Sequence, residues 1–87
     1  MSGEHEGHSH DDEFDALDDS ETTEVVEGLT RVLARACRQL GDAGQPRAAG
    51  KLAADGWVLL RKEHPKQAER LDGTMHYTAR LEAKLKQ

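Results

Sequence analysis

Apolar residues recur every three or four positions in three segments of this chain, and residues that terminate helices separate the segments. This spacing is that of one face of an α-helix. The apolar positions of the first segment are Val26, Leu29, Leu33, Ala36 and Leu40, widened by Val25, Val32 and Cys37. Gly41 follows directly, and glycine is favoured just past the end of a helix. The pattern therefore predicts a first helix over residues 20–40 that ends at Gly41.

Two prolines mark the beginnings of the second and third helices. Proline is favoured in the first turn of a helix, where its missing N–H group costs no hydrogen bond. Pro46 and Pro65 each precede a segment with helical spacing, so we expect helices over residues 46–63 and 66–85. An interior glycine costs about 1 kcal/mol relative to alanine. The sequence therefore leaves open whether the third helix is continuous or broken at Gly73.

Three amphipathic helices with short connections predict an all-α fold, an up-down-up three-helix bundle over residues 18–87. The expected core is rich in alanine, with Trp57, Met75 and Tyr77 as its large members or near neighbours. Cys37 is the one cysteine, so no disulfide within the chain braces the bundle. Its apolar surroundings in the pattern predict a small buried side chain. A fold of this size is often marginal, which favours a homodimer.

The N-terminal segment differs sharply from the rest of the chain in charge. Residues 1–24 contain ten of the 17 acidic residues and none of the 12 basic ones, so the formal net charge of −5 divides into −10 before and +5 after this point. Residues 1–17 have too few apolar side chains to offset the entropy of ordering, and we expect a disordered acidic tail there. Such a tail aids solubility, or it masks the basic body.

The tail also carries a cluster of candidate metal ligands. His5, His8 and His10 are followed by two aspartates, and imidazole and carboxylate groups bind Zn²⁺, Ni²⁺ or Cu²⁺. The spacing is not that of a structural zinc site, which holds its ligands on rigid turns. A metal-responsive protein that uses the tail histidines is therefore a second alternative for the function of the chain, and we expect no resident cofactor.

Basic residues form two groups on the predicted bundle. Arg31, Arg35 and Arg38 follow helical spacing on the first helix, and the second group comprises Arg61, Lys62 and Lys66. Such groups suit phosphate contacts. The chain has no set of aromatic residues for base stacking, and Pro65 lies where a helix-turn-helix turn would fall. Binding of nucleic acid or another polyanion, with the tail masking the basic surface, is therefore an alternative and not the leading interpretation.

No motif in the sequence supplies catalytic chemistry. We find no nucleophile paired with a base, no glycine-rich phosphate loop and no metalloenzyme helix motif. The sequence instead predicts a non-enzymatic protein-interaction or assembly module that binds another protein or a second copy of itself. Apolar residues in excess of what a thin core buries form binding surfaces. The residues that we expect on this surface are Val25, Val32, Trp57 and Tyr77.

Composition also bears on location and origin. The sequence has no stretch approaching the length of a membrane span and no basic and then apolar leader, and a single cysteine fits a reducing compartment. We therefore expect a cytoplasmic protein. Isoleucine and asparagine are absent, whereas alanine, arginine, glycine and aspartate are abundant. This bias is typical of a GC-rich genome and predicts a bacterial source.

Overall fold

The computed structural model describes residues 19–86, with side chains from residue 20 onward, and these residues form three α-helices joined by two short connections. Helix α1 spans Asp19–Asp42, α2 spans Pro46–Leu60 and α3 spans Pro65–Leu85. The fold class is all-α, as predicted. Contacts between Gly41 and Thr78 and between Gly50 and Thr78 place α2 antiparallel to both neighbours, which gives an up-down-up bundle. The predicted tail lies outside the described residues.

Helix α1 ends later than expected, because Gly44 and not Gly41 terminates it. Gly44 has a φ of +99°, a left-handed conformation that side chains disfavour. The Gly44 N–H donates to the Gly41 carbonyl at 3.0 Å and the Gln45 N–H to the Leu40 carbonyl at 3.1 Å. These two bonds form a Schellman motif. Gly41 is helical and buried, because Leu81 and Thr78 of α3 pack against it.

The connection between α2 and α3 begins three residues before the predicted end of α2. The chain leaves the α-helix after Leu60, and the His64 N–H donates to the Leu60 carbonyl at 2.8 Å. Pro65 then occupies the first turn of α3, one residue before the predicted start. Helix α3 continues without a break through Gly73, which answers the question that the sequence left open.

The bundle core consists mainly of small side chains. Cys37, Ala49 and Ala53 form a buried cluster, against which Leu33, Leu40 and Met75 pack in part. The largest fully buried side chains among the described residues are Leu71, Thr74, Thr78 and Cys37. A Cβ on Gly56 would lie 2.6 Å from Leu71 Cδ1 and 2.7 Å from Leu33 Cδ2. The helices therefore approach so closely that glycine, alanine and threonine occupy the contact positions.

This close packing corrects several core assignments that the sequence suggested. On α1 the buried positions are Thr30, Ala34, Cys37 and Gly41, whereas Leu29 and Ala36 are exposed. The predicted core positions Leu52, Leu59 and Leu85 are exposed as well. Trp57, Met75 and Tyr77 are half-buried near the core. The apolar pattern thus located the helices correctly but placed the centre of the buried stripe wrongly.

Threonine enters this core because its hydroxyl group is satisfied within its own helix. The Thr30 hydroxyl donates to the Val26 carbonyl at 2.7 Å, and the Thr78 hydroxyl donates to the Met75 carbonyl at 2.9 Å. The Thr74 hydroxyl donates in the same way to the Arg70 carbonyl at 3.2 Å. A buried hydroxyl with a partner avoids the cost of an unmade hydrogen bond. Each threonine therefore behaves as a small buried residue.

None of the helices described is both long enough and apolar enough to cross a membrane.

Candidate functional site: an apolar face on α1 and α2

Five exposed large apolar side chains lie along one side of α1 and one side of α2. They are Val25, Leu29 and Val32 of α1 and Leu52 and Leu59 of α2, and we call this surface the α1–α2 face. Leu29 is 65% exposed and Leu59 is 81% exposed. Single exposed apolar residues are ordinary on a protein surface, but a contiguous group of them marks a contact surface.

Helical geometry brings these residues together. Val25, Leu29 and Val32 follow spacings of four and three, which places them along one side of α1, and Leu52 and Leu59 are two turns apart on one side of α2. Because α2 runs antiparallel to α1, its C-terminal turns lie beside the N-terminal half of α1. Leu29 and Leu59 consequently face the same groove.

This groove has a volume of about 200 Å³ and an almost entirely apolar lining. The residues that line it are Val26, Leu29, Thr30, Leu33, Gly56, Leu59 and Leu60. The bare backbone at Gly56 forms part of its floor, where Leu33 and Leu71 close over the missing Cβ. A groove of this kind accepts apolar side chains of a partner but offers few polar groups to orient a small substrate.

The residues predicted to bind protein divide into two pairs. Val25 and Val32 lie on the α1–α2 face, together with three leucines that the sequence assigned to the core. Trp57 lines a different depression beside Arg61 and Pro65, with the Arg61 guanidinium 5.4 Å from the ring centre. One signal in the sequence points to these leucines. The helices carry more large apolar side chains than a core rich in alanine can bury, so some of them must be exposed.

Tyr77, the fourth predicted residue, is held in a polar contact at the junction of α1 and α3. Its hydroxyl donates a hydrogen bond to Asp42 Oδ1 at 2.6 Å, and the Arg38 guanidinium lies 4.8 Å from its ring centre. The hydrogen bond to the carboxylate raises the pKa of Tyr77 above its ordinary value, since only the neutral phenol donates it. Tyr77 therefore joins two helices and lies apart from the α1–α2 face.

The basic residues on α1 are distributed over different contacts. Arg31 lies 3.7 Å from Glu27 one turn away, in an exposed ion pair, and Arg38 is stacked on Tyr77. Arg35 is exposed. The second group, Arg61, Lys62 and Lys66, is exposed at the connection between α2 and α3. Binding of a polyanion to either group stays a prediction.

One further basic residue links the ends of α2 and α3. Arg47 donates to Glu82 Oε2 through Nε at 2.9 Å and lies 2.8 Å from the same oxygen through Nη2. The hydrogen bond from Arg47 is the main reason that the pKa of Glu82 is lowered. This contact is structural, because it closes the bundle at the end opposite the groove.

The titratable groups of the described bundle that the sequence raised as candidates for chemistry lie in separate surroundings. Cys37 is buried in the core, and this burial raises the pKa of its thiol, so the reactive thiolate is disfavoured. His76 Nδ1 lies 3.8 Å from Asp72 Oδ2 in an exposed pair on α3. Within residues 20–86 no group of three or more side chains has the arrangement of a metal site. The candidate ligands His5, His8 and His10 lie outside the described residues.

Comparison with known proteins returned no similar protein: no family model, curated sequence or solved structure matches the chain.

Proposed function

We propose that this protein is a small, non-enzymatic protein-interaction module whose binding surface is the α1–α2 face. The observation that carries the proposal is the apolar groove between α1 and α2, which the exposed side chains of Leu29 and Leu59 line. Val25 and Val32 lie at helical spacing from Leu29 on α1, and Leu52 lies at helical spacing from Leu59 on α2. An amphipathic helix that docks into an apolar groove is a common mode of protein recognition. The groove here lies between two antiparallel helices, which is the geometry that receives a further helix.

The free energy of burial supports this proposal, because the apolar residues of the α1–α2 face stay exposed in the single protomer. Full burial of a valine or leucine side chain contributes roughly 1.5–3 kcal/mol. Leu29 and Leu59 retain most of their exposure in the bundle, so most of this contribution is available to a partner. Leucines buried in the core would already have contributed this free energy to folding. The same residues are therefore better suited to association than to folding of the protomer.

The non-enzymatic part of the proposal is supported by the surroundings of the reactive groups. Burial withdraws Cys37 from solvent, and the groove is lined almost entirely by apolar atoms. General acid–base catalysis needs a titratable side chain within hydrogen-bond reach of the substrate. The lining residues of the groove include no such group.

Photo-crosslinking of the full chain inside cells of its source tests this function. A photoreactive amino acid replaces Leu59 in one variant and Leu85 in a control variant, because Leu85 is also exposed but lies at the end of α3. We expect protein adducts from position 59 and none from position 85. The additional substitution Leu29→Glu on the same face removes the adducts but leaves the helical circular dichroism unchanged. Equal adducts from both positions, or none from position 59, contradict the proposal.

A further inference from the structure

The size of the core bears on which partner covers the α1–α2 face. Leu71 is the one leucine among the largest fully buried side chains of the described chain, and the others are two threonines and a cysteine. A core of this kind supplies little stability, and small proteins without disulfides commonly gain the rest through oligomerisation. A second copy of the chain meets this need best, because it is present wherever the protein is made.

The charges of α1 are arranged so that the helix complements itself. Glu24 and Glu27 lie in its N-terminal half, whereas Arg31, Arg35 and Arg38 lie in its C-terminal half. When two such helices pack antiparallel about a twofold axis, the acidic half of each lies beside the basic half of the other. Parallel packing would instead place like charges together. The charge order along α1 therefore favours an antiparallel pair.

Glu24 and Arg35 are the residues best placed for this contact. They are eleven positions apart on one helix, a separation of about 16 Å at 1.5 Å per residue, so they do not pair within a protomer. Among the described residues neither takes part in a side-chain hydrogen bond or an ion pair. Both flank the line of Val25, Leu29 and Val32, where a partner helix would lie.

Gly28 leaves room on α1 for the close approach of a partner helix. It lies in the interior of α1, three residues after Val25 and four before Val32, so it is on the same side of the helix as both. A Cβ added to Gly28 would meet nothing within 4 Å, whereas Gly50 and Gly56 admit a close neighbouring helix. An interior glycine disfavours a helix, and no contact among the described residues explains this one. A second α1 helix packed at this point would.

We propose that two copies of the chain associate through their α1–α2 faces about a twofold axis, with the α1 helices antiparallel and in contact near Gly28 and Leu29. Glu24 of each protomer then lies beside Arg35 of its partner, and Leu59 of each is covered. This inference rests on the proposed function, because it names the occupant of the same surface.

Sedimentation of the full chain from low to high micromolar concentration is the first test. We expect a reversible dimer. The substitution Leu29→Glu weakens its dissociation constant at least about hundredfold, since a charge replaces an apolar contact twice in each dimer. Leu85→Glu is the matched control, because Leu85 is also 65% exposed but lies outside the α1–α2 face. A wild-type chain that stays monomeric throughout, or equal effects of the two substitutions, overturns the dimer.

A charge exchange tests the antiparallel arrangement. Glu24→Lys alone and Arg35→Glu alone each place like charges together twice, so each variant dimerises about tenfold more weakly than the wild-type chain. An equimolar mixture of the two variants restores association, because each lysine then faces a glutamate. Glu69→Lys and Arg80→Glu repeat the same changes at the same spacing on α3 and leave the dimer unaffected. If the mixture associates no better than the separate variants, the antiparallel pairing is wrong.

The two proposals fail in distinguishable ways. A monomeric chain whose position 59 still crosslinks to a different protein in cells overturns the dimer and leaves the interaction function standing. A monomeric chain that gives no adduct from position 59 overturns both.

Discussion

Among single residues, Tyr77 makes a contact that depends on pH. Its hydroxyl donates to Asp42 at 2.6 Å, and this hydrogen bond is lost when the phenol ionises. The pKa of Tyr77 in the folded protein is consequently raised above its ordinary value of 10.0. The contact thus contributes its full stability below the pKa of the unfolded chain, and this stability is lost as pH rises through the raised value.

We expect the substitution Asp42→Ala to return the pKa of Tyr77 toward its ordinary value. Tyr77 is the only tyrosine, so the ultraviolet absorbance of the phenolate reports its ionisation directly. Asp72→Ala, which removes an exposed aspartate of α3 outside this contact, should leave the titration unchanged. A midpoint that does not move in Asp42→Ala would show that the hydrogen bond is not the cause of the shift.

At the scale of elements, the spacing between helices depends on where glycine lies. Gly56 admits Leu71 and Leu33 to within 3 Å of the position of its missing Cβ, so α2 packs directly against its neighbours. Gly73 lies on the exposed side of α3, where a Cβ would meet nothing within 4 Å. Gly56 thus allows two helices to pack closely, whereas Gly73 only lowers the stability of its own helix.

These surroundings predict opposite effects of the same substitution. Gly73→Ala should raise the free energy of unfolding by about 0.5–1 kcal/mol, because alanine is the better helix former. Gly56→Ala should lower it by about 1–3 kcal/mol, because the new methyl group overpacks the contact with Leu71. Thermal or urea unfolding of both variants measures the two changes. Stabilisation by Gly56→Ala would mean that the helices separate at little cost.

At the scale of the whole molecule, the stability of the protomer and the affinity of the dimer should respond in opposite directions to a substitution at Gly28. Gly28→Ala should stabilise the separated protomer by about 1 kcal/mol, and a change of this size raises Tm by about 4–8 °C in a domain of this length. The added methyl group should at the same time weaken the dimer, since it lies at the closest approach of the α1 helices.

Gly73→Ala is the control for this pair of effects, because it should raise Tm without changing the dimer dissociation constant. Melting at several protein concentrations separates the two contributions, since the Tm of a dimer rises with concentration. A Gly28→Ala variant that melts higher and dimerises as the wild-type chain does would place Gly28 outside the interface.

The sequence by itself determined the class of fold and most of the helix starts. Apolar spacing of three and four specifies α-helices locally, and Pro46 and Pro65 suit the first turn of a helix in any context. The predicted end of α1 at Gly41 was wrong, although glycine is favoured just past a helix end. Leu81 and Thr78 of α3 pack against Gly41, a contact distant in sequence, and the helix continues to Asp42.

Only the tertiary structure decided which apolar residues are buried. The sequence shows that the apolar side of α1 is wide, but it does not show how near α2 and α3 approach. That distance is set where Gly50 and Gly56 meet α3, and it is short enough that Thr30, Ala49 and Ala53 fill the interior. The core then has no room for Leu29 and Leu59, because a closely packed interior accommodates no additional large side chains. The candidate site therefore consists of the leucines that this packing excludes.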